Sequence, residues 1–254
     1  MSIDNQTQLT YLYSFLSYSY EAGHGGPGEL LLPLIKRSIV TIQKEHFSIP
    51  EIRDEIKSLF SKEFPLIIIQ KEFNKLLSQN LIQISSTQQA KEVKYTVVQE
   101  LESYESEYTV SVKVVDHFIA ELKLFIQQKD KKFSNINTSS VVKRLEEYCK
   151  KYFSGILLFL TENAELDFSE QISEKKEFEA FIDEFIQKVK SDSMLFDGFS
   201  QIFHGVTLLN IFEKSFELTN LDDYQLGEKV FFLDTNILLR ILELQSDYYN
   251  QAGK

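Results

Sequence analysis

The stretch SEKKEFEAFIDEFIQKVKSD, residues 173–192, sets Phe178, Phe181, Ile182, Phe185, Ile186 and Val189 at the i, i+3, i+4 spacing of one helix face, with Ser173 available as a cap. The same period recurs along most of the chain, and little interrupts it. Nine glycines and four prolines stand among 254 residues, against 21 phenylalanines and 12 tyrosines. Such a pattern favours long helices around an aromatic core. The predicted fold class is mainly α.

Residues 100–217 read as nearly all helix. YTVSVKVVDHFIAELKLFIQQKDKKF places Val110, Val114, Val115, Phe118, Leu122 and Phe125 along one face. Its opening TVSVKVV alternates like a strand, but the longer helical period outweighs that. SSVVKRLEEYCKKYFSGILLFLTE predicts one helix starting near Thr138–Ser140, and DGFSQIFHGVTLLNIFEKSFE another. Aromatic stripes at this spacing belong to cores rather than ligand pockets. His117 and His204 lie on apolar helices outside any HxxxH or HExxH pattern, which marks them as structural. The lone Cys149 excludes an intrachain disulfide, and its neighbours Glu146, Glu147, Lys150 and Tyr152 predict an exposed helix position in a reducing compartment. Near the start, TQLTYLYSFLSYSY (7–20) predicts an amphipathic helix on Leu9, Leu12, Phe15, Leu16 and Tyr20. The glycine-dense EAGHGGPGE that follows lacks the preceding strand and closing lysine of a phosphate loop, and is read as a linker.

From Glu29 to Gln99 the order is helix, helix, helix, hairpin. ELLLPLIKRSIVTIQKEH is the first helix, with Pro33 in its first turn or at a kink. FSIPEIRDEIKSLFSKEF is the second, with Ser48 as N-cap, Pro50 in the first turn and Glu51 completing a capping box. LIIIQKEFNKLLSQN is the third. LIQIS and VKYTVVQ, joined by a polar tip, form the hairpin. This pattern resembles a winged helix-turn-helix domain. The resemblance implies contact through the third helix (Gln70, Lys71, Asn74, Lys75 and Gln79) and the wing (Gln88, Lys91 and Lys94). Ten basic residues against eight acidic ones make a weak electrostatic footprint, so both nucleic acid and protein stay open as partners.

The polar connector LTNLDDYQLGEK leads into Val230–Leu233, a continuous apolar run suited to a buried parallel strand. Asp234 falls at its end, then Thr235 and Asn236, then Ile237, Leu238, Ile241 and Leu242 at helical spacing. Strand, acid-bearing turn and helix place a carboxylate where α/β sheets bind ligands. VFFLDTNILLRIL resembles the opening strand and helix of a PIN domain, a nuclease fold. The resemblance implies that Asp234 is a catalytic, metal-binding acid for Mg²⁺ or Mn²⁺, supported by hydrogen bonds from Thr235 and Asn236. The plainer alternative is that Asp234 N-caps the following helix. Glu243 and Asp247, the later acids, lie too far along that helix to converge with it.

The expected organisation is an N-terminal helix and linker (1–28), a winged-helix-like α+β module (29–99), a helical domain (100–217), and a connector with the first β-α unit of an incomplete PIN-like α/β domain (218–254). The expected function is the regulatory or targeting portion of a metal-dependent nuclease acting on RNA in preference to DNA, with this chain itself inactive and carrying no metal. The alternative is a non-enzymatic DNA-binding or protein-interaction module whose helical region dimerises. A third reading, a small-molecule sensor with a Phe-lined pocket, rests on composition alone. A formal net charge of -11 repels nucleic acid from the surface as a whole, so that contact needs a local patch. No signal peptide or membrane-spanning run is present, and the cytoplasm is the expected location.

Overall fold

The computed structural model describes residues 5–21, 27–85, 93–101, 105–162 and 177–219. Residues 1–211 form one compact unit and residues 212–254 a second. The fold is mainly α. Among the described residues the order is α1 (Asn5–Glu21), α2 (Pro27–Ile42), α3 (Ile49–Phe60), α4 (Leu66–Ser78), β1 (Ile82–Ile84), β2 (Tyr95–Val97), α5 (Glu105–Lys129), a 3-10 turn (Lys131–Phe133), α6 (Thr138–Lys151), α7 (Phe153–Glu162), α8 (Glu177–Val189) and α9 (Ser193–Thr219). No described helix is long and apolar enough to cross a membrane.

The helices of residues 27–78 start and stop where local chemistry directs. Ser48 and Glu51 form the reciprocal capping box at the start of α3, with Pro50 in its first turn. Ser61, with φ of 53° in the left-handed region, ends that helix. Pro65, which has no N–H to lose, precedes α4. Pro33 lies inside α2. β1 and β2 pair antiparallel, Ile82 with Val97 and Ile84 with Tyr95. Phe47, in the link between α2 and α3, exchanges two backbone hydrogen bonds with Tyr95, of 3.0 and 2.8 Å. It thereby adds a one-residue third member to the sheet. Phe47, Phe73 and Tyr95 form the aromatic centre under this hairpin.

The structure departs from four expectations. α1 is not a one-faced amphipathic helix: Ser14, Ser17 and Ser19 are buried along with Leu12, Tyr13, Phe15 and Leu16. It packs against α2 and α3 and also against α5 and α6, so most of its circumference lies inside protein. On α5 the buried row is Ser111, Val115, Phe118, Ile119, Leu122 and Ile126, while Val110 is 62% exposed. Residues 138–162 form two helices, broken at Tyr152. Cys149 is buried, because it continues the apolar row of Val142 and Leu145 at seven and four residues' spacing. Burial pushes its thiol well above the ordinary range.

Candidate nucleic-acid interface

α4 is oriented by Ile69, Phe73 and Leu76, whose i, i+4, i+7 row faces the core. Phe73 holds the helix to the hairpin, with its ring 5.2 Å from that of Tyr95. Docked this way, α4 turns Gln70, Lys71 and Asn74 to solvent. None of the three has a hydrogen bond or ion pair with another described residue. Gln79, just past the helix, is exposed as well.

Lys75 and Lys94, the other described cations expected on this face, are held. Lys75 is half-buried, and its ammonium lies 2.9 Å from Glu72. Glu72 has no exposed side-chain surface and accepts no aligned hydrogen bond, so Lys75 supplies its compensating charge. Lys94 donates to Glu51 at 2.8 Å, and Lys44 donates to the same carboxylate at 2.7 Å. The Ser48 backbone N–H adds a third bond of 2.8 Å. The two ammonium groups, Lys44 first, bring the Glu51 carboxyl down to about 2 from 4.5, against a smaller opposing effect of burial.

Between these groups runs a shallow groove of about 220 Å³, lined by Ile49, Pro50, Leu66, Gln70, Val93 and Tyr95. Ile67, Ile84 and Val93 are 74, 58 and 49% exposed. The face is therefore apolar in its groove, polar along one side of α4, and sparing in free charge. The sequence reading of this surface missed the groove and the exposed Ile67 and Ile84. Its signal lay in LIIIQ and LIQIS, which carry more apolar residues than one buried face needs.

Lys91, Gln88, Asp234, Thr235 and Asn236 lie outside the described residues, as does the Ser173 cap. Among the described residues no three His, Cys, Asp or Glu side chains gather to hold a metal ion. His117 and His204 are half-buried on α5 and α9. No family model matches the chain, and neither a curated protein nor a solved structure matches it.

Proposed function

We propose that this chain is the regulatory or targeting portion of a PIN-type nuclease, and that residues 29–99 form a winged-helix-like module contacting nucleic acid through α4 and the hairpin. The observation that carries the contact is the row of Gln70, Lys71 and Asn74 on α4, exposed beside the hairpin with no partner among the described residues. Side chains of these types reach phosphates and base edges. The order helix, Phe47 bridge, helix, helix, hairpin supports the winged-helix reading. The nuclease reading rests on the sequence alone: an apolar run ending in Asp234, followed by Thr235, Asn236 and a helical pattern. Asp234 is one carboxylate for Mg²⁺ or Mn²⁺, with Thr235 and Asn236 orienting it. When bound, such an ion activates water and offsets charge on a phosphodiester. RNA is the favoured substrate, and the cytoplasm the setting.

The test is a fluorescence-anisotropy titration with labelled single-stranded and duplex RNA and DNA, comparing the chain with a Lys71→Glu, Asn74→Ala variant. The reading requires binding that the variant loses.

A second reading, a protein-docking module, is favoured by a specific observation. Val93 lines the groove and is half exposed, Ile67 of α4 and Ile84 of β1 are exposed as well, and Lys75 and Lys94 are pinned by carboxylates. Ile67→Glu separates the two: it harms a protein contact and leaves a contact through Lys71 and Asn74 in place.

A further inference from the structure

Away from the hairpin, one face of α6 lines a cleft of about 490 Å³. Arg144, Glu147, Tyr148 and Lys151 look across it at Phe178 and Glu179 of α8. The ionic groups of this cleft are unequally occupied. Lys151 donates to Glu179 at 2.7 Å, and the Tyr152 hydroxyl donates to the same carboxylate at 2.6 Å. The Tyr148 hydroxyl donates to Asp183. Those groups are matched within the protein.

Arg144 is not. It makes no hydrogen bond or ion pair with any described residue. Aromatic rings hold it instead, with its guanidinium carbon 4.5 Å from the centre of the Phe178 ring and 5.9 Å from that of Phe133. A guanidinium fixed by ring faces keeps its N–H fork free in a geometry that matches a carboxylate. Glu147, one turn along the same face, is exposed and equally unpaired. Among the described residues the cleft thus offers one free cation and one free anion, about 5–6 Å apart at their Cβ atoms.

We propose that the α6–α8 cleft binds a small zwitterion of the amino-acid class, its carboxylate on Arg144 and its ammonium on Glu147. The shape and chemistry of the lining favour this over a compact dianion. Phosphate placed on Arg144 meets Glu147 and Glu179 in the same cleft, whereas a ligand carrying one charge of each sign satisfies both free groups. This site is independent of the α4–hairpin reading.

The experiment is calorimetric titration of the chain with glycine, alanine and 4-aminobutyrate, three zwitterions of differing charge separation. Acetate, methylammonium and inorganic phosphate are the single-sign controls. At least one zwitterion should bind saturably and more tightly than every control. Arg144→Gln and Glu147→Gln should each weaken it by about tenfold or more, the scale of one charge-assisted hydrogen bond. Glu147 is exposed with no partner among the described residues, so Glu147→Gln should leave the melting temperature without ligand unchanged, while Arg144→Gln also gives up the ring contacts and should lower it slightly. Three results overturn the proposal: no zwitterion binds, acetate or phosphate binds as tightly, or either variant keeps wild-type affinity.

Discussion

Glu51 closes the capping box of α3 and also receives Lys44 and Lys94, the second from 43 residues along the chain. Its carboxyl titrates lower in the folded state than in the unfolded one. The stability it contributes is therefore complete above about pH 4.5 and is lost as pH falls towards about 2. Glu51→Gln should cost about 1 kcal/mol at pH 7, after allowing for solvent screening of a partly exposed group. Urea denaturation at pH 7 and pH 3 should show the difference from wild type shrinking at the lower pH. Glu72 has no exposed side-chain surface and sits beside one ammonium. Lys75→Met should destabilise by about 3 kcal/mol, because it strands a buried charge. The double variant Glu72→Leu, Lys75→Met should recover most of that loss, which thermal melts of the three proteins would show. The Ser48–Glu51 box was legible in the sequence, since its spacing is local. The Lys94 partner was not, because only the folded hairpin brings it to α3. Glu72 was visible in principle, as an acid set beside the apolar row of Ile69, Phe73 and Leu76.

At the scale of elements, periodicity located the helices better than it located their faces. α8 follows its pattern at Phe178, Ile182, Phe185, Ile186 and Val189, which are buried, while Phe181 is only half-buried. α1 does not, because its serines are interior small residues rather than a solvated face. Ser111 of α5 donates to Gln201 of α9 at 2.8 Å, and Ser14 of α1 joins the same pair. This buried polar junction satisfies hydroxyls that a hydropathy pattern assigns to water. Gly205 completes it, for a Cβ there would run into the Tyr13 backbone. At Gly198 a Cβ would lie 2.7 Å from Phe118 Cβ and 2.9 Å from the Val114 carbonyl oxygen. Gly205→Ala should therefore cost about 3 kcal/mol, even though alanine is the better helix former. A denaturation midpoint at or above wild type would show that α1 and α9 do not cross so closely. The break at Tyr152 was hidden from the sequence, since no glycine or proline marks it.

Across the larger unit, α1 links the helices of residues 27–78 to those of residues 105–151. Phe15, Phe60 and Tyr108 meet at centroid distances of 5.7 to 6.4 Å, and the Arg37 guanidinium lies 3.9 Å from the centre of the Tyr108 ring. The mainly α class and the helix–helix–helix–hairpin order were legible because they rest on period and breakers. The charge of the α4–hairpin face was less so, because pairing in space decides which lysines remain free. With a net charge of -11 and Lys75 and Lys94 already held, nucleic-acid binding through α4 should release few counterions. The slope of log K against log salt should be shallow, about −2 or less steep, at roughly 0.7–0.9 per phosphate contacted.

If the exposed polar row of α4 contacts nucleic acid as proposed, one anisotropy experiment will report it. Labelled RNA is titrated with the wild-type chain, with Lys71→Glu, Asn74→Ala and with Ile67→Glu, in low salt. The account predicts saturable binding by wild type, a loss of at least about tenfold in the α4 polar variant, the scale of one or two lost phosphate or base contacts, and near-wild-type binding by Ile67→Glu. Binding that survives the polar changes but fails with Ile67→Glu, or no binding by any of the three proteins, would contradict it.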